Sequence, residues 1–188
     1  MFAGHFGVAA AVKSKTPEIP LWSLLVSTQL LDIVFIPFSL AGVESMEPIG
    51  EGGYARMIIH AFYTHSLVGA LVLSMLAAWI AGKFWGKKSG IIIGLVTLSH
   101  WFLDLIVHRP DMPILLGNIG NFPLLGFSLW EAVSISILIE FLLIAAGSFF
   151  YFRYAIQTSS SKHKGKAIAA GCAMTVFLFL CLGMDVFL

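Results

Sequence analysis

GIIIGLVTLSHWFLDLIV, residues 90–107, is eighteen residues of hydrocarbon interrupted by a few polar side chains. It comes close to the roughly 20 residues that a helix needs to cross a bilayer. Thr97, His100, Asp104 and, just beyond the stretch, His108 are spaced three, four and four residues apart. On a 3.6-residue helix they fall within about 80° of one another, so an apolar helix carries one polar stripe. An ionised carboxylate at that depth is costly unless it is paired, hydrogen-bonded or bound to a cation.

Outward from this stretch, residues 21–41, 61–81, 129–151 and 167–188 are apolar runs of similar length. The chain has 188 residues, 59% hydrophobic and 11% charged. A soluble domain carries about 25% charged residues, so too few are present here to coat a water-facing surface. The net charge of +1 gives no electrostatic footprint for nucleic acid. Leu, Ile, Phe and Ala are interspersed without the alternation of barrel strands, so an all-α polytopic helix bundle in one membrane domain, residues 1–188, is expected. Residues 1–20 are too short an apolar head for a sixth crossing and read as an interfacial or re-entrant segment; without a cationic start they are not expected to be a cleaved signal.

The cations alternate from loop to loop. Lys13 and Lys15, then Lys83, Lys87 and Lys88, then Arg153, Lys162, Lys164 and Lys166 share one side, nine of the eleven Lys and Arg. Arg56 and Arg109 fall on the other, where Glu44, Glu47 and Glu51 also lie. The positive-inside rule then gives five spans with the N-terminus in and the C-terminus out, in a bacterial or archaeal cytoplasmic membrane.

Acids are placed differently. Asp32, Asp104, Glu131, Glu140 and Asp185, half of the ten, fall within the five spans, which contain no Lys or Arg. Glu131 and Asp185 are near outer ends, whereas Asp32 and His100 sit near the midplane. His65 lies just inside the outer end of the second span, level with Asp104. His65, His100, Asp104 and Asp32 can therefore converge in the outer half of the bundle, with His60 as a further candidate if the helix starts between His60 and His65. Imidazole nitrogen and carboxylate oxygen make up the ligand set of a catalytic zinc or similar divalent ion. His5 would reach the cluster only if the head re-enters the bilayer.

The residues His60, Thr64, His65 and Ser66, followed by Ser99, His100 and Asp104, resemble the His-Arg-Gly-x-Thr-His-Ser and Ser-His-x-x-x-Asp blocks of a bacterial inner-membrane family. That family consists of SOS-regulated, membrane-bound metal-dependent hydrolase-like proteins. The resemblance covers roughly residues 1–110, with His5 and Asp32 near the places of an early histidine and a Pro-Asp-x-Asp-like segment. Ala61 stands where the family has arginine, Leu31-Asp32-Ile33 offers one of two expected acids, and His108-Arg109-Pro110-Asp111 is a different polar run.

The resemblance implies a metal-dependent hydrolase. A site opening outward suits a lipid or lipid-linked ester or phosphoester, with Arg109 and His108 as substrate-binding residues and Glu131 as general base. The same buried cluster also suits a proton- or cation-handling transporter or accessory subunit, as a homo-oligomer or with a membrane partner. A haem held by His65 and His100 is not expected, because Asp104 lies one turn from His100.

Overall fold

A computed structural model describes residues 1–50 and 54–187, so Glu51 and Leu188 lie outside the described residues. The chain is mostly helical. Its helices are α1 (Phe2–Lys13), α2 (Leu21–Thr28), α3 (Leu30–Leu40), α4 (Leu67–Val107), α5 (Val133–Gln157) and α6 (Lys164–Phe187). The exception to the all-α expectation is an antiparallel hairpin of β1 (Ser45–Pro48) and β2 (Met57–His60), between α3 and α4.

Three helical segments are long and apolar enough to cross a membrane, at 67–107, 133–157 and 161–187, and the bent pair α2–α3 makes a fourth if it counts as one crossing. Their outward faces carry large apolar side chains such as Leu71, Met75, Trp79, Leu95, Leu138 and Leu180, as lipid contact requires.

The run 21–41 is not one straight helix, because α2 and α3 meet at Gln29 with a 52° bend. Neither proline nor glycine marks the break. Tertiary bonds hold it: Gln29 Nε2 donates to the Phe2 carbonyl (3.0 Å), and the Thr28 carbonyl accepts from His100 Nδ1 (2.6 Å).

The run 61–81 begins its helix late. The Glu44 carboxylate accepts from the Tyr63 and Thr64 amides (2.7 and 2.9 Å), holding them in a turn. Ser66 then caps α4 by accepting from the Gly69 amide at 3.0 Å. Within α4 the helical path breaks at Gly86, whose φ of +85° an L side chain rarely adopts. The chain folds back there, and 67–85 packs against 87–107 with Gly90 on Gly82 and Ala78.

Helix α1 is buried inside the bundle. Ala3 and Ala10 pack with Ile144, Met174 and Leu178 of α5 and α6, while Ala9 packs with Leu24 of α2 and Ile93 and Val96 of α4. Its close approach to α5 uses Gly7 and Gly147, where a methyl on either would strike the other helix's backbone. The two amides at the start of α1 are held from opposite helices: Ala3 N–H donates to Asp185 Oδ2 (3.1 Å) and Gly4 N–H to Glu140 Oε1 (2.9 Å). This places His5, on the first turn, at the level of Asp104.

Candidate metal centre

Asp104 is the hub. Its Oδ2 lies 2.9 Å from His100 Nε2, 3.7 Å from His65 Nε2 and 3.9 Å from His108 Nε2, while its Oδ1 lies 3.2 Å from His5 Nε2. Asp32 Oδ1 closes the other side, 3.2 Å from His65 Nε2 and 3.6 Å from His100 Nε2. His5, His65, His100 and Asp104 are buried. The Asp32 side chain is 42% exposed, and it lines an open cavity of about 530 Å³. Two groups, His5 with His100 and Asp104, and Asp32 with His65 and His100, bring their ligand atoms within 4.8 Å of one another and can hold a metal ion.

The surrounding bonds fix which nitrogen faces the hub. His100 Nδ1 meets the Thr28 carbonyl, which only accepts, so Nδ1 carries hydrogen. His65 Nδ1 meets Thr64 Oγ1 at 2.9 Å, and that hydroxyl spends its own hydrogen on Glu44 Oε2 at 2.8 Å; it therefore accepts from His65. His108 Nδ1 donates to Asp111 Oδ1 at 2.9 Å. In the neutral rings, all three Nε2 lone pairs then face carboxylate oxygens.

Such a contact is repulsive until a cation lies between the two atoms, and no hydrogen bond satisfies His100 Nε2 as it stands. Ligands on one tetrahedral ion, each 2.0–2.1 Å from it, lie about 3.4 Å apart. The separations of Asp32 Oδ1 from His65 and His100 Nε2, 3.2 and 3.6 Å, bracket that value, so this triad suits one ion with a fourth position open.

His5 is presented differently. Its ring stacks on His100 with centroids 3.9 Å apart and planes 10° from parallel, and its Nδ1 has no hydrogen-bond partner. Two imidazolium rings at that separation would repel, so at most one of the pair carries an extra proton.

Of the other expected residues, His60, Glu131 and Arg109 lie apart from this set. His60 is on β2, not a helix, and strand alternation decides its direction. Met46 and Ile59 are paired, as are Pro48 and Met57, and these four line the cavity. His60 falls on the opposite face, 3.6 Å from Glu47. Glu131 is exposed on a 3₁₀ turn and is not among the described residues lining the cavity. Arg109 donates to the carbonyls of Ala55 (2.8 Å) and Met57 (3.1 Å). His108 does line the cavity, with its ring against Trp130 at 4.2 Å.

The sequence reading missed Glu44 and Tyr54. Glu44 precedes β1 with no spacing relation to His65. Tyr54 donates to Glu140 Oε2 at 3.0 Å, and burial together with that carboxylate pushes its hydroxyl pKa up. Asp111 did carry a signal, three residues from His108.

Fold and site together define a mostly helical chain of membrane-crossing character with a buried His/Asp cluster able to hold a metal ion. No family model matches the chain, and no curated protein or solved structure matches it.

Proposed function

We propose that this chain is a membrane-embedded, metal-dependent hydrolase acting on a lipid or lipid-linked ester or phosphoester from the outer-leaflet side of a bacterial or archaeal cytoplasmic membrane. One observation carries the reading: the Nε2 lone pairs of His65 and His100, fixed from behind, face Asp32 Oδ1 at 3.2 and 3.6 Å, a triad spaced to hold one ion. Nitrogen and oxygen donors in that number suit zinc. The resemblance of the His65 and His100–Asp104 blocks to membrane-bound metal-dependent hydrolases points the same way.

A bound divalent ion would supply an acidified water and a Lewis acid for the ester or phosphoester oxygen. The chain's own residues do the rest. The Thr28 carbonyl and the Glu44–Thr64 pair hold the imidazoles in one tautomer and one orientation. Asp32 joins the cluster to the cavity, whereas Glu131 is not among the described residues lining it.

Counting 67–85 and 87–107 as separate crossings and α2–α3 as one bent crossing gives five. With the lysine-rich loops inside, α2–α3 runs outward, the C-terminus lies outside and the cavity opens on the outer side, while α1 is a re-entrant head whose first residue sits at the cavity, its amino group 3.9 Å from Asp104 Oδ1.

The test is metal analysis of the detergent-purified protein. Stoichiometric metal that is lost in the double variant His100→Ala/Asp104→Ala is the expected result. No stoichiometric metal, or equal metal in the variant, overturns the reading. A proton would also close the nitrogen–oxygen contacts, and Asp32 is reachable from the cavity. Metal-free protein giving proton flux in liposomes, lost in Asp32→Asn, would therefore make this a proton-handling subunit.

A further inference from the structure

The cavity over the cluster has two chemistries. Its floor is imidazole and carboxylate, whereas its roof is the apolar face of the β1–β2 hairpin and one wall is Phe2 and Met184. Phe2 and Met184 are also 39% and 55% exposed, so that wall continues onto the outer surface of the helices, where hydrocarbon lies. A ligand seated on the floor can thus run an apolar chain out sideways without exposing it to water.

One cationic side chain joins this lining, beside the Met1 amino group, which is taken up 3.9 Å from Asp104 Oδ1. Arg56, just before β2, is the only Lys or Arg among the described residues lining the cavity. Its backbone is held on three sides. Arg109 grips the carbonyls of Ala55 and Met57, on either side of it, and the Ile49 amide donates to its own carbonyl at 2.9 Å. Ala55 takes a left-handed φ of 60°, a strained conformation for a non-glycine residue, and the Arg109 contact at its carbonyl helps to hold it. Arg109 is spent on positioning, which leaves Arg56 as the cationic side chain at the cavity lining.

Building on the hydrolase reading, we infer that the substrate is an anionic amphiphile bearing a phosphate, with Arg56 as the residue that recognises the phosphate. The floor holds the bond to be cleaved, Arg56 holds the anion, and the Phe2–Met184 wall carries the chain. A volume of about 530 Å³ lies within the range of small-ligand sites and accommodates a headgroup with the first part of its chain. Guanidinium suits phosphate because its planar fork makes paired, charge-assisted hydrogen bonds.

The experiment measures binding of dodecyl phosphate, dodecanol and inorganic phosphate to the full chain in nanodiscs, as purified and again after chelation. Chelation separates Arg56 from any bound metal as the anion's partner. Dodecyl phosphate is expected to bind at least about tenfold more tightly than either half-molecule, as a charge-assisted hydrogen bond warrants. Arg56→Gln should bring it down to the level of dodecanol, and Arg56→Lys should keep part of the advantage.

Equal binding by wild type and Arg56→Gln, no preference over dodecanol, or a preference lost only after chelation overturns the inference. Arg56-dependent binding to a protein that carries no stoichiometric metal leaves the anion site standing and removes the hydrolase reading. Stoichiometric metal without Arg56-dependent binding does the reverse.

Discussion

Asp104 presents two oxygens, and the imidazoles on either side of it are held in different ways. On the Oδ2 side, His65, His100 and His108 each tie Nδ1 to an acceptor, so tautomer and ring orientation are set before any cation arrives. On the Oδ1 side, the His5 ring is tied at Nε2 alone, and its position comes from the backbone of α1, which Glu140 and Asp185 hold by its first amides. One side is preorganised through side chains and the other through a helix. Preorganised ligands bind an ion without a further ordering cost, so the Oδ2 side should dominate affinity.

That contrast breaks most directly at the ligands. His100→Ala removes the one nitrogen common to both candidate groups. Zinc affinity, measured by competition with a chromophoric chelator, should fall by more than about 100-fold, beyond the figure for loss of an outer partner. His5→Ala should cost less than His100→Ala. Equal losses would erase the distinction between the two sides.

The next test keeps every ligand. Thr64→Val retains the shape of the side chain but removes the hydroxyl that accepts from His65 Nδ1 and donates to Glu44. Zinc affinity should drop about 10–100-fold, the usual effect of removing an outer-shell partner, and Thr64→Ser should restore most of it. Affinity unchanged in Thr64→Val would mean that the His65 tautomer is not set by this bond.

Much of this was visible in the residue pattern, and what was hidden was hidden for physical reasons. Helical spacing places His100, Asp104 and His108 on one face because the segment is a regular helix, and hydropathy locates the long apolar runs because lipid leaves the backbone few alternatives. The late start of α4 was not legible, because Glu44, some twenty residues upstream, holds the turn before it. Nor was the break at Gln29, which no local residue type announces. His60 was read with helical periodicity but lies on a strand, where period two sends it away from Met57 and Ile59. The approach of His5 depends on α1 entering the bundle, and that rests on carboxylates more than 130 residues away in sequence.

The helix-held side is probed at its anchor. Glu140 is buried and accepts from Gly4 N–H and Tyr54 Oη–H. Glu140→Leu leaves both donors without that partner, at about 1–3 kcal/mol for each buried group left unpaired. The thermal midpoint in detergent should fall. Zinc affinity should fall no further than in His5→Ala, because only the His5 side loses its support. A larger affinity loss would show that α1 also sets the Oδ2 side.

Tyr54→Phe should have the smallest effect. The substitution keeps the ring and removes one hydrogen bond, leaving Glu140 Oε1 still paired with the α1 amide. Glu140 is fully buried, so its Oε2 loses that partner at about 1–3 kcal/mol, one unpaired group against the two left by Glu140→Leu. The hairpin also keeps its Arg109 ties to Ala55 and Met57. A thermal midpoint lowered less than in Glu140→Leu, with zinc affinity unchanged, is therefore expected. If Tyr54→Phe instead lowers zinc affinity as much as Thr64→Val, the roof and the cluster are one cooperative unit, and the division drawn at Asp104 does not hold.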